Sequence, residues 1–291
     1  MQTQLSNLQL MAMDESSHDQ PPAPVADTWV EVRGGIAGAS SRDRVAEEIP
    51  VAMVYNGVSH AVMMASPCDL EDFALGFSLS EGILQRPDQL FALEIQVSAE
   101  GISVDMRIAG DRFARLQEQR RNMVGRTGCG LCGTESLAHV ARSIAPVAVQ
   151  KVPSDTAVQT ALQSLKNYQP LQLQTGATHG AAWCDNQGQI ILAREDVGRH
   201  NALDKLIGAH IREHADKAFA NGFALISSRA SFEMVQKSAS VGIASLVAVS
   251  APTALAIREA RSSGMNLIGF ARPGRHVIYH RSGECSEEKE L

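Results

Sequence analysis

The sequence predicts an α/β protein in two parts: a small N-terminal α+β domain, then a larger domain with a mostly parallel sheet between helical layers. Three observations predict this. Paired strand signals with short turns fill the region before residue 110. Short Val/Ile/Leu-rich runs alternate with helical patterns after residue 189, the signature of a parallel sheet covered on both faces. A glycine-rich segment around Cys129 divides the two patterns in a chain of 291 residues, longer than most single domains.

In chain order, residues 1–28 read as a disordered tail, because the stretch Gln20-Pro21-Pro22-Ala23-Pro24 and its polar neighbours bury too little to offset their ordering entropy. Residues 29–124 form the small α+β domain. Ile49 to Tyr55 and Val58 to Ala65 are apolar runs joined by Asn56-Gly57, the preferred pair for a primed hairpin turn. Ser66-Pro67 reads as an N-cap with proline in the first turn of a helix running to Gly82. Glu94 to Val97 and Ile102 to Ile108 form a second strand pair, and an amphipathic helix covers Arg112 to Asn122.

Residues 125–135 form a mobile cysteine loop, residues 136–282 the α/β domain and residues 283–291 a second tail. Within the α/β domain, Thr134 caps a helix entering it through Arg142, and Ser154 caps another through Asn167. Strands are expected at Gln189 to Ala193, Phe223 to Ser227, Leu246 to Ser250 and Leu267 to Ala271. Helices are expected at His200 to Glu213, Ser231 to Val241 and Pro252 to Ser263, with Gly264 ending the last.

The formal charge of −6 argues against bulk binding to nucleic acid, although it leaves room for a local basic pocket. No apolar run reaches the ~20 residues needed to span a bilayer, and the N-terminus lacks the pattern of a secretory signal. Five cysteines (Cys68, Cys129, Cys132, Cys184, Cys285) are too few and too scattered for a disulfide framework. A cytoplasmic location, with no membrane and no nucleic-acid partner, is the expectation.

The chemistry centres on Gly128-Cys129-Gly130-Leu131-Cys132-Gly133, preceded by Gly125-Arg126-Thr127. Two thiols three residues apart admit a zinc site, a thioredoxin-like exchange or a persulfide carrier. Zinc wants four ligands, and only His179 and Cys184 offer to complete a set. About 130 residues precede the pair, which disfavours the thioredoxin context. A carrier needs a thiolate on a flexible arm; glycine supplies the freedom, and Arg126 beside a helix start lowers a thiol pKa.

Four further segments carry candidate ligand groups. His179 stands among tiny residues, where a core histidine and a backbone-lined cavity are equally open readings. Arg194-Glu195-Asp196-Val197-Gly198-Arg199-His200-Asn201 follows a strand, where parallel sheets place ligands, and a salt-bridged loop with Asp196 or Asn201 as helix cap is the open alternative. Ser227-Ser228-Arg229-Ala230-Ser231 joins a strand to a helix and reads as an anion site. Phe270-Ala271-Arg272-Pro273-Gly274-Arg275 sets two arginines around a turn, either solvated or able to clamp phosphates.

Together these segments resemble the formate dehydrogenase accessory sulfurtransferases, the FdhD family, over roughly residues 30 to 280. The resemblance rests on Arg126 to Gly133, on Glu195 to Lys205, on Ser228 to Lys237 and on Ser250-Ala251-Pro252-Thr253. It implies a sulfurtransferase and chaperone that passes persulfide sulfur from a cysteine desulfurase to the molybdenum bis-molybdopterin guanine dinucleotide cofactor of formate dehydrogenase. It implies that Cys129 carries the persulfide and Cys132 assists, and that Phe270, Ala271, Arg272, Pro273, Gly274 and Arg275 bind the cofactor. Arg229 and His179 join that set as candidates, and guanine nucleotide is expected to bind in the cofactor's place. The resemblance further implies a cytidine-deaminase-like fold for the α/β domain and a homodimer. A nucleotide-binding scaffold and a zinc deaminase-like enzyme are the competing readings; the latter lacks the His-x-Glu and the proline before Cys129 that its chemistry uses.

Overall fold

A computed structural model describes residues 20–33, 39–124, 144–214 and 219–283. Cys129, Cys132, Cys285 and the helix expected after Thr134 lie outside the described residues.

The first strands are β1 (Val25–Val32) and β2 (Ala39–Ala46), an antiparallel ribbon separate from both larger sheets. The expected tail boundary at residue 28 therefore falls inside β1. Pairing with β2 supplies its backbone partners, and Arg42 lies over the exposed Trp29 ring at 5.4 Å.

β3 (Ile49–Tyr55) and β4 (Val58–Ala65) form the expected hairpin, with positive φ at Asn56 and Gly57. Asn56 also bridges to the backbone of Ile108 through both its amide atoms. β5 (Leu90–Ser98) and β6 (Gly101–Ile108) complete a four-stranded sheet in the order β4-β3-β6-β5. One face packs on α1 (Leu70–Ser80), and α2 (Gly110–Val124) follows β6. Arg112 of α2 donates to the carbonyls of Gly82 and Ile83, just beyond the end of α1.

The start of α1 departs from expectation. Asp69, not Ser66, precedes the helix, in the left-handed region and with no side-chain cap. Ser66 is used elsewhere: its amide donates to Asp196, its carbonyl accepts from Lys205 Nζ and its hydroxyl accepts from the Val197 amide. A buried lysine–carboxylate pair outcompetes a local cap for these groups.

The second half is a three-layer α/β unit. Its sheet contains β7 (His179–Asp185), β8 (Ile190–Asp196), β9 (Gly222–Ile226), β10 (Ser245–Ala248), β11 (Asn266–Arg272) and β12 (Arg275–His280), in the order β12-β11-β10-β9-β7-β8. One face carries α5 (Arg199–His214), α6 (Phe232–Ser240) and α7 (Ala254–Ser263). The other carries α3 (Asp155–Ser164) and the 3-10 turn that follows it. A short α4 (Pro170–Thr175) leads into β7.

The sheet is mixed, correcting the expectation of a mostly parallel one. Only β9, β10 and β11 run parallel. β7 is antiparallel to both β8 and β9, and β12 is antiparallel to β11. Tight turns impose the β7–β8 and β11–β12 reversals, since strands joined by a few residues must reverse direction. β8 and β9, connected through α5, run the same way with β7 between them, so β7 opposes both. Asp185 stabilises the β7–β8 turn by accepting from the amides of Gln187 and Gln189.

The halves meet where α1 crosses α5. Every residue of α1 except Glu71 is buried, because the helix is enclosed between the four-stranded sheet and α5. Ser154 caps α3 and Thr253 caps α7, each accepting from an amide three residues on. Gly264 ends α7 in the left-handed region, as its position predicts. Among the described residues no helix is long and apolar enough to cross a membrane.

Candidate functional site

The strand directions bring distant segments onto one rim. β9, β10 and β11 are parallel, so the segments after them, 227–231, 249–253 and 272–275, emerge on the same edge. β7 is antiparallel to β9, so its first residue, His179, lies on that edge too. β8 returns to it at Asp196, the register partner of His179. From β7 to β11 the rim spans three strand spacings, about 14 Å.

Backbone bonds hold the rim together. Ser227 N donates to Gly180 O, and Gly180 N donates to Ser227 Oγ, both at 2.9 Å. Ser250 N donates to Ser228 O, and Phe270 N donates to Ser250 O. Gly269 is needed here, because a Cβ would stand 2.8 Å from Pro252 Cδ and 3.0 Å from the Tyr279 ring.

At the far end of the rim β11 bulges between Gly269 and Arg272. Within the bulge Phe270 has a φ of 49°, a conformation aromatic residues rarely adopt, and is 38% exposed. Ala271 is buried, whereas Arg272, Pro273, Gly274 and Arg275 are all exposed. Pro273-Gly274 forms the connection to β12, with Gly274 at φ 74°. Gln159 of α3 clamps this turn by donating to Arg272 O at 3.1 Å and accepting from Gly274 N at 2.8 Å. Sequence reasoning missed Gln159, because a lone glutamine on a helix carries no signal of its partner. Arg272 and Arg275 are register partners, and neither forms an ion pair among the described residues.

Of the ionisable groups from Arg194 to Lys205, most are engaged by the fold, whereas Arg199 and His200 are not. Arg194 pairs with Asp72 at 2.8 Å. Glu195 accepts from the amides of Leu171 and Gln172 and from the Thr178 hydroxyl, which fixes the start of α4. Asp196 forms a fully buried pair with Lys205 at 2.7 Å and also accepts from Gly198 N and Asn201 Nδ2. Asp204 accepts from Ser80 Oγ and pairs with Lys237, which also reaches Glu81 at 2.6 Å. Burial pushes the Asp204 carboxyl up to about 6, while Lys237 opposes the shift.

Two groups of this motif remain unbonded. Arg199 Nε and His200 Nε2 are buried without a hydrogen-bond partner. Burial holds the His200 imidazole neutral, with Arg199 and Lys237 adding to the effect, and takes its pKa down to about 4. Burial and then Arg199 likewise lower His179. An unfolded histidine titrates near 6.5, so between about pH 6.5 and about pH 4 the unfolded chain takes up a proton that folded His200 refuses. Stability therefore falls as pH falls through that window. Urea midpoints measured across it are expected to decline less steeply for His200→Gln than for the parent; identical slopes would refute the assignment.

The described cysteines are poor nucleophiles. Burial pushes the Cys68 thiol up to about 11 against the pull of Lys205, and burial also raises Cys184. His179 and Cys184 stand near opposite ends of β7, about 16 Å apart, and so do not share one ion. Among the described residues no three His, Cys, Asp or Glu side chains are grouped to hold a metal.

Fold and rim together define a three-layer α/β protein with two exposed arginines, a strained aromatic and a partnerless guanidinium nitrogen along one sheet edge. The chain belongs to the FdhD/NarQ family, whose model matches residues 46–285. It is 53% identical over 270 residues to the sulfur carrier protein FdhD of Bordetella petrii, covering 92% of this chain and 96% of that one. It is 53% identical to the FdhD of Cupriavidus necator over 251 residues, 86% of each chain. A crystal structure from Desulfotalea psychrophila, assigned as a formate dehydrogenase accessory protein, shares the fold with a TM-score of 0.69 at 24% identity, covering 88% of this chain and 97% of that one.

Proposed function

We propose that this chain is a sulfur carrier for formate dehydrogenase maturation, accepting sulfur from a cysteine desulfurase and delivering it to the enzyme's molybdenum bis-molybdopterin guanine dinucleotide cofactor, its client. Membership of the family and its relation to named sulfur carriers support the sulfur role. The observation that carries the cofactor role is the convergence of His179, Arg229 and the Phe270–Arg275 bulge on one rim. Arginines without internal partners suit phosphates, and an exposed aromatic suits a heterocycle. Guanine nucleotide is the simplest stand-in for the client. A homodimer in the cytoplasm and a cytidine-deaminase-like relationship for the three-layer half complete the reading.

Cys129 thiolate attacks the terminal sulfur of the desulfurase persulfide, forming a Cys129 persulfide and releasing the desulfurase thiolate. Attack by Cys132 thiolate on Cys129 Sγ then forms a Cys129–Cys132 disulfide and expels hydrosulfide. The dithiol supplies the two electrons that reduce sulfane sulfur to sulfide, and an external reductant of the thiol class resets it.

After incubation with a desulfurase and cysteine, mass spectrometry of the Cys129/Cys132 peptide is expected to show one added sulfur atom. Cys129→Ala is expected to show none while binding GDP as the parent does. Normal persulfide formation in that variant would remove Cys129 from the carrier role, and an unchanged parent mass would favour a nucleotide-binding scaffold.

A further inference from the structure

The turn that carries Arg272 and Arg275 is held from the layer of the protein opposite α5, α6 and α7. Two residues of α3 one helical turn apart, Asp155 and Gln159, both reach it. Gln159 commits its whole carboxamide to the turn backbone, donating to Arg272 O at 3.1 Å and accepting from Gly274 N at 2.8 Å. Asp155 Oδ1 stands 3.2 Å from Nε2 of His276, whose side chain is 9% exposed. α3 is itself fixed, with Ser154 as its N-cap and Ala157, Val158 and Ala161 buried in the core beneath it.

The turn needs this support, because left to itself it has reasons to open. Arg272 and Arg275 are register partners, so two like charges face each other across a connection of two residues. Among the described residues no carboxylate lies within ion-pair distance of either guanidinium. Pro273 followed by Gly274 at φ 74° fits a type II turn, whose twist suits paired strands less well than the primed turns do. The bulge between Gly269 and Arg272 also interrupts the ladder just before the turn. The neighbouring helix therefore supplies the order that this hairpin lacks. Holding two unpaired guanidinium groups side by side stabilises nothing in the fold itself. It becomes favourable only when an anion of more than one charge sits between them.

We propose that Gln159 and Asp155 are positioning residues that preorganise the Arg272–Arg275 pair for the diphosphate of the client. The ligand meets the arginines, and the two α3 residues act only through the backbone and the imidazole that they fix. Facing residues of an antiparallel pair stand about 5 Å apart at Cβ. Two guanidinium groups at that spacing can each take one phosphate of a diphosphate bidentately. Because α3 sets the spacing before the ligand arrives, binding has neither to order the turn nor to bring the two charges together. The inference rests on the reading of the client as a nucleotide cofactor and adds residues that shape its phosphate subsite from outside it.

The test is equilibrium binding of GDP and guanosine to the full chain, with the ratio of the two affinities as the readout. The parent is expected to bind GDP about a hundredfold tighter than guanosine, since only GDP engages the arginines. Gln159→Met keeps the length of the side chain but offers the turn no hydrogen bond. It is expected to cut the ratio about tenfold, through GDP alone. Asp155→Ala is expected to cut it in the same direction. In an Arg272→Ala/Arg275→Ala chain, adding Gln159→Met is expected to leave the ratio unchanged, because nothing remains to be positioned. The parent ratio in Gln159→Met or in Asp155→Ala overturns the role of that residue. A further fall in the chain without the arginines overturns positioning too, since Gln159 would then meet the phosphates directly. General damage to the fold weakens both ligands alike and leaves their ratio, so it cannot imitate the expected result. A parent that binds guanosine as tightly as GDP, or that binds neither, overturns the nucleotide-cofactor reading itself.

Discussion

Gly76→Ala is expected to destabilise the protein by roughly 3 kcal/mol or more, the upper range for overpacking a core. At the crossing of α1 and α5 a Cβ on Gly76 would lie 1.7 Å from the carbonyl oxygen of Asp204 and 2.8 Å from the amide nitrogen of Gly208. The contact is reciprocal, for a Cβ on Gly208 would lie 1.9 Å from the carbonyl oxygen of Asp72. Every offending atom is backbone, so no side chain can rotate away and the helices must separate. Separation would also pull Ser80 of α1 from Asp204 of α5, now 2.6 Å apart in a buried network. Urea unfolding should show a large drop in midpoint for Gly76→Ala. Gly110→Ala is the control, since a Cβ there meets nothing within 4 Å and the backbone is not left-handed. Equal midpoints for Gly76→Ala and the parent would disprove the close crossing.

Lys205→Met should cost about 3–5 kcal/mol, the range for removing one partner of a buried ion pair. Lys205 and Asp196 are both fully buried and 2.7 Å apart. Lys205 also donates to the carbonyl of Ser66, so the pair ties the segment before α1 to the end of β8 and the start of α5. Methionine fills much of the lysine stem's volume but leaves the Asp196 carboxylate without its countercharge. The double variant Asp196→Asn/Lys205→Met should be less destabilised than the sum of its single variants, because the stranded charge is gone. Strict additivity in chemical denaturation would show that the two groups do not interact.

These two expectations concern residues whose roles the sequence does not disclose. Gly76 reads as an ordinary helical glycine, and Lys205 as the next polar position in a helix. By contrast, Asn56-Gly57, Ser154 and Gly264 act where the sequence places them, because a turn or cap depends on groups three or four residues away. Most strands of the second half were legible for the same reason, as short β-branched runs between turn residues. β7 was not, since Gly180-Ala181-Ala182 lacks a strand signature and becomes one only between β8 and β9. The ribbon of β1 and β2 was missed because β2 is mostly polar and neither strand buries a core face, so each is justified chiefly by its partner.

The candidate site divides in the same way. Local composition marked the segments at His179, Arg194 to Asn201, Ser227 to Ser231 and Phe270 to Arg275, and all four meet on one sheet edge. It could not separate the charges that hold the protein together from those left for a ligand. Arg194, Glu195, Asp196, Asp204 and Lys205 find partners as much as 139 residues away, whereas Arg199, Arg272 and Arg275 form no ion pair among the described residues. The sequence by itself determined the family, the paired thiols at Cys129 and Cys132, the alternation of strands and helices and the caps at Ser154 and Gly264. Only the tertiary structure decided the strand directions, the glycine crossing of α1 with α5 and which ionisable groups remain free. Turns, caps and periodicity are settled by neighbours in the chain, but a charge is neutralised by whatever closure brings beside it.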